Sequence, residues 1–156
     1  MPSTGEVKER IERAARFNGG HALTELLGAS LLDMDWHTLP AGHMPRDVDA
    51  FERSSLKSHG LDVREVPPRY GTRYFQHIWT LAYGAGYYSY LWSAVLDNDA
   101  YYWFRENGGM TRTNGQRFRD LVLSRGRTQE AAELYRQFRG RDASVEPLLA
   151  ERGLAS

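Results

Sequence analysis

Apolar residues recur three and four positions apart along most of this chain, the spacing that gathers them on one face of a helix. Residues 3–17 form the first such stretch, highly charged, with only a thin stripe of Val7, Ile11 and Ala14 or Ala15. Asn18-Gly19-Gly20 is expected to end it, because these residues tolerate the left-handed cap conformation. A second helix is predicted over 21–39. Leu23, Leu26, Leu27, Leu31, Leu32, Met34 and Trp36 give it a wide apolar arc, so it should be well buried. Residues 40–45 read as a loop, and Asp47 as the N-cap of a shorter helix carrying Val48, Phe51 and Leu56 and closed by Gly60. Pro67 and Pro68 force the segment up to Gly71 to be extended.

The densest pattern lies at residues 77–92, where a histidine, two glycines and four tyrosines share one short run. Gly84 and Gly86 predict a loop or hinge, since glycine adopts backbone angles closed to other residues. Tyr87, Tyr90, Leu91 and Ala94 then predict a helix with an aromatic face, running to about Glu106 and stopped by Asn107-Gly108-Gly109. Asn114 is placed to cap a helix ending at Gly126, and Thr128 another ending at Gly140. Ser144 is placed to cap a last one before Gly153, with Pro147 in its first turn. No alternating run is long enough for a strand. The fold class is therefore all-α, a single segment over residues 1–156 with no internal repeat.

Composition removes several function classes. Lys and Arg number 20 and Asp and Glu 20, so the neutral chain has no footprint for nucleic acid or an anionic membrane. The basic residues are arginines apart from Lys8 and Lys57, and arginine forks suit carboxylates. There is no cysteine, which excludes disulfides, thiolate metal sites and a thiol nucleophile. No apolar run approaches the ~18 residues of a membrane helix. The opening Met-Pro-Ser-Thr-Gly-Glu6 lacks the regions of a signal peptide, so a cytoplasmic protein is expected.

The chemistry that remains concentrates at the glycine break. There His77, Tyr83 and Tyr90 are expected to converge, and one imidazole with two phenols suits a carbonyl oxygen or a developing oxyanion. Ordinary packing of a tyrosine-rich helix start is the alternative. No His-Glu-x-x-His motif is present. His21 with Glu25 reads as a surface pair, His37 and His43 flank a proline loop, and His59 suits a helix C-terminus. Neither a nucleophile elbow nor a phosphate-binding glycine loop occurs. Asp97, Asp99 and Glu106 read as a solvated helix face.

A family resemblance covers essentially the whole chain. Its residues are Phe17-Asn18, Leu31-Leu-Asp-Met-x-Trp-His37, Val66-Pro-Pro-Arg-Tyr70, Tyr74-Phe-x-His77 and Gly86-Tyr-Tyr-x-Tyr-Leu-Trp92. It continues through Asp99-Ala-Tyr-x-Trp-Phe104, Gly108-Gly-x-Thr111, Asn114-Gly-Gln-Arg-Phe-Arg119, Leu123-Ser-Arg-Gly126 and Leu134-Tyr-Arg-Gln-Phe-Arg-Gly140. Together they resemble the C-terminal part of the peptidyl-dipeptidases, in the zinc metallopeptidase family that includes thimet oligopeptidase, neurolysin and oligopeptidase A.

The resemblance implies a helical portion of a two-lobed catalytic domain enclosing a channel. It also implies short peptide substrates and a zinc ion held by residues upstream of this segment, with no metal ligand here. Carried over, His77, Tyr83 and Tyr90 are the catalytic residues that face the carbonyl oxygen, and Tyr87 binds substrate. The chain departs from the family at Thr80-Leu-Ala82, where glycines are common, and its Met1-Pro2 matches an internal position. Three expectations stay open. The chain is a fragment inactive alone, one half of a split peptidase that assembles with a separately encoded zinc-binding half, or a non-catalytic peptide-binding module.

Overall fold

The computed structural model describes residues 3–80 and 82–155. The start compared above with an internal position of the family, and the middle residue of Thr80-Leu-Ala82, lie outside them. The chain divides into two compact units, Met1–Trp92 and Ser93–Ser156, and the described residues contain helices and turns but no strand.

In the first unit α1 (Thr4–Arg16) starts at a reciprocal capping box. The Glu6 N–H donates to Ser3 Oγ, and the Ser3 N–H donates to Glu6 Oε2 at 2.6 Å. None of its residues is buried, and Val7 and Ile11 face solvent. Asn18 then takes the left-handed conformation, and α2 (Gly19–His37) begins two residues earlier than its pattern predicts. Its wide apolar arc does bury a face, with Gly28, Ala29, Leu32 and Trp36 inside. Asp47 caps α3 (Val48–Ser58) by accepting from the Asp49 and Ala50 N–H groups, and Gly60 follows at φ 70°.

Beyond the two prolines a 3₁₀ turn (Thr72–Tyr74) leads into α4 (Gln76–Thr80). Thr72 anchors that turn from three sides. Trp36 Nε1 donates to its hydroxyl at 3.0 Å, Trp79 Nε1 to its carbonyl at 2.9 Å, and its own N–H donates to Glu52 Oε2 at 2.6 Å. The core beside it contains Ala29, Phe75, Ile78 and Tyr87, with Leu26 and Tyr70 packed against them. The helix after the glycines, α5 (Ser89–Glu106), starts two residues past Tyr87, so that tyrosine lies in the preceding turn and not on the helix.

The second unit corrects three expectations. Thr111, not Asn114, caps α6 (Arg112–Phe118) by accepting the Asn114 N–H, while the Asn114 amide donates back to the carbonyls of Asn107 and Gly109. After Phe118 the chain runs on as a π-helical turn (Arg119–Leu123) and stops before Gly126. The Thr128 hydroxyl donates to the Arg125 carbonyl instead of capping, so α7 (Ala131–Arg139) starts later and uncapped, and it closes at Gly140 with φ 83°. Ser144 does accept the Glu146 N–H at the start of α8 (Glu146–Glu151), one residue ahead of the formal cap. Ala100, Trp103, Phe104 and Phe138 form this unit's core.

Asp99 is the third correction, since it is not on a solvated face. It is fully buried, and its carboxylate accepts from Tyr135 Oη at 2.9 Å, Arg139 Nε at 3.1 Å, Arg141 Nη2 at 2.6 Å and the Ser144 N–H at 3.3 Å. Burial alone would raise the Asp99 pKa. The hydrogen bonds from Arg141, Tyr135 and Arg139 outweigh it and hold the carboxyl below the ordinary 3.8. Arg139 also grips Glu106 with both terminal nitrogens, at 2.7 and 3.1 Å.

Candidate functional site

The site is built from the chain on either side of the loop at residues 82–87. His77, on α4, is ringed by aromatic side chains. Its ring centroid lies 4.9 Å from Tyr70, 5.5 Å from Tyr87, 6.3 Å from Tyr83 and 6.5 Å from Tyr90. Tyr83 and Tyr90 stack on each other at 5.8 Å with planes 17° apart. The structure thus brings His77, Tyr83, Tyr87 and Tyr90 into one nest.

They differ in what they offer solvent. Tyr83 is 39% exposed and Tyr90 42%, so their phenols are open to a ligand. Tyr87, expected from the resemblance to bind substrate, is only 3% exposed and packs edge-on against Phe75 at 4.8 Å. Hydrogen-bonding proximity to the Tyr83 side chain, followed by desolvation, pushes the Tyr90 pKa above the ordinary phenol value of 10.0. Burial does the same to Tyr87. Both phenols therefore remain proton donors well into the alkaline range. His77 Nδ1 is buried and has no hydrogen-bond partner among the described residues. Orphaned buried polar atoms are few in folded proteins, and a catalytic role is one of the explanations for them.

The glycines act by a different route from the one their sequence suggests. Neither Gly84 nor Gly86 has a positive φ; the left-handed positions in the loop are Ala82 (φ 60°) and Ala85 (φ 55°). What the glycines supply is close approach. A Cβ on Gly84 would sit 2.7 Å from His37 Nε2, and one on Gly86 would sit 3.2 Å from the Tyr83 carbonyl. His37 and His43, which flank the proline loop, turn to different partners. His37 turns to Asp33, and exposed His43 lies 3.2 Å from the Ala41 carbonyl. His59 reaches Asp35 Oδ2 at 3.0 Å from the C-cap of α3.

Sequence reasoning missed Asp33. It is fully buried, and its carboxylate accepts from the N–H groups of Ala85 and Tyr87, both at 2.9 Å, across more than fifty residues. A lone aspartate inside the apolar arc of a well-buried helix was the available signal, because such a residue is almost never fully buried without partners.

Peptidase family M3 matches residues 2–154. This chain belongs to that family. Among its relatives, the dipeptidyl carboxypeptidase of Salmonella typhimurium is 48% identical over 154 residues, covering 99% of this chain and 22% of that protein. The enzyme of the same name from Escherichia coli is 46% identical over 149 residues, covering 96% and 22%. Oligopeptidase A of Haemophilus influenzae is 32% identical over 98% of this chain and 22% of its own length. The chain thus spans about a fifth of the length of these relatives.

M3 peptidases are zinc metallopeptidases. No three His, Cys, Asp or Glu side chains among the described residues are grouped to hold an ion, and a zinc site normally takes at least three protein ligands. After dialysis against dilute zinc, the purified chain is expected to retain less than one metal per molecule by elemental analysis. Stoichiometric retention that survived removal of the accessible histidines other than His77 would reveal a zinc site in this chain.

Proposed function

We propose that this chain is the substrate-facing, oxyanion-stabilising portion of a zinc-dependent M3 peptidase that hydrolyses short peptides, and that it is inactive alone. The observation carrying this reading is the convergence of two exposed phenols on a histidine whose Nδ1 is buried without a partner. Tyr90 is the principal donor to the carbonyl oxygen as it gains charge, and Tyr83 and His77 share that work. Tyr87 forms the floor beneath them. Donors held ready where charge develops are the largest single contribution to many hydrolytic rates, because they need no reorganisation at the moment of reaction. Zinc, held in the assembled enzyme by residues outside those described, would supply Lewis-acid chemistry. Peptides of the kind implied by the name dipeptidyl carboxypeptidase are the substrate class.

A chimera tests this directly. The matching segment of the Escherichia coli dipeptidyl carboxypeptidase is replaced by this chain, which is 46% identical to it over 149 residues. The chimera is expected to hydrolyse short peptides, and the isolated chain is not. A folded, zinc-loaded chimera without peptidase activity would reject the reading.

A further inference from the structure

We propose that Asp33 and His37 of α2 form a latch that positions the loop at residues 82–87, and through it the phenols of Tyr83 and Tyr90. The catalytic consequence rests on the function proposed above; the latch itself does not.

Three contacts make one device. Asp33 is a buried carboxylate whose oxygens each take one loop amide, Oδ1 from Ala85 and Oδ2 from Tyr87. A carboxylate withdrawn from water must be satisfied where it sits, so these bonds are costly to release. His37 Nδ1 lies 2.8 Å from both the carbonyl and Oδ1 of Asp33. Both neighbours are acceptors, so Nδ1 carries a proton and His37 braces the carboxylate from its own helix. The far edge of the same imidazole meets Gly84, where even a Cβ would come within 2.7 Å of Nε2.

The loop is shaped so that it needs holding. Ala82 and Ala85 occupy the left-handed region, which costs a residue with a Cβ and persists only where the surroundings impose it. What the latch holds is passed on through short bonds. The Gly86 N–H donates to the Tyr83 carbonyl at 2.8 Å, the Tyr90 N–H to the Tyr87 carbonyl at 3.3 Å, and the Tyr83 N–H to the His77 carbonyl at 3.3 Å. A shift of residues 85–87 therefore reaches both phenols within one hydrogen bond. Asp33 is a positioning residue, since it acts only through the loop.

Native-state amide exchange on the ¹⁵N-labelled chain tests the latch. Asp33→Asn keeps the size but replaces one acceptor by a donor, so a loop N–H loses its partner. The Ala85 or Tyr87 amide is expected to exchange on the order of tenfold to a hundredfold faster, with α3 and the second unit unchanged. Unchanged exchange at both amides would overturn the latch, and so would equal acceleration through the whole first unit, which would mark Asp33 as ordinary core. Should Asp33→Asn fail to fold, Gly84→Ala decides. It leaves the carboxylate intact and drives a methyl group into the His37 ring, so the same amides should lose protection, and their retention would overturn the proposal.

In the active chimera, Asp33→Asn is expected to lower kcat more than it raises KM, and to add little to Tyr90→Phe. A loss in KM alone would remove the link to the phenols. If Tyr90→Phe itself has no effect, the proposed function fails while the exchange result still decides the latch.

Discussion

Replacing Tyr90 by phenylalanine is expected to lower kcat of the active chimera by about a hundred- to a thousandfold while KM moves little. The ring stays, its stack on Tyr83 stays, and at 42% exposure the lost hydroxyl leaves no cavity, so the fold should tolerate the change. A donor engaged mainly as charge builds on the carbonyl oxygen lowers the barrier without tightening the bound ground state. The raised Tyr90 pKa adds a pH signature, because the phenol remains protonated past 10.0. Activity that depends on it should persist beyond that value and fall only above it. Tyr83→Phe is expected to follow the same pattern less strongly, since His77 shares its side of the nest. If Tyr90→Phe left kcat within a few-fold of the parent, Tyr90 would revert to a packing residue.

Asp99→Ala is expected to be the most destabilising single change in the second unit, at about 3 to 5 kcal/mol by denaturant unfolding. The cost comes less from the lost attraction than from what remains, since Arg139 Nε, the Tyr135 hydroxyl and the Ser144 N–H all lose their buried acceptor and Arg139 keeps only exposed Glu106. Asp97→Ala supplies the internal control. That carboxylate is exposed two residues earlier on the same helix and should change stability by less than about 0.5 kcal/mol. The Asp99 contribution also depends on pH in a fixed direction. Its folded pKa lies below 3.8, so near 3.8 the unfolded chain takes up a proton that the folded chain still refuses. The stabilisation is complete above 3.8 and is lost as the pH falls through the folded value. Unfolding midpoints of parent and Asp99→Ala should therefore converge in acid; a constant difference would mean that Asp99 acts through packing alone.

What the sequence made legible follows the range of the forces involved. The helices of the first unit could be read because their apolar spacing and their caps are local, as at Asp47 with its two amides and at Gly60 with its positive φ. Asn114 and Thr128 were misplaced as caps because better local partners exist nearby. Thr111 sits three residues before Asn114, and the Arg125 carbonyl three before Thr128. The nest of His77, Tyr83 and Tyr90 could be anticipated from one short run and a family resemblance. The partners of Asp33 and Asp99 could not, as each lies some thirty-five to fifty-five residues away and no periodicity points to it. The same limit explains Gly84, whose necessity comes from an imidazole on another helix and not from its own backbone angles.

Asp33 and Trp36 stand three residues apart on α2, about 4.5 Å along its axis. One fastens the loop after the break, and the other fastens the turn at Thr72 before it. The two walls of the nest are thus each tied to a common template that the ribosome delivers some thirty-five to fifty-five residues earlier. Closing loops of that length costs entropy before any contact repays it. The nest is accordingly expected to be completed late in refolding, after α2 has packed. In pulse-labelled refolding, the amides of α2 should gain protection before those of Ala85 and Tyr87, and simultaneous protection would mean that nest and template form together.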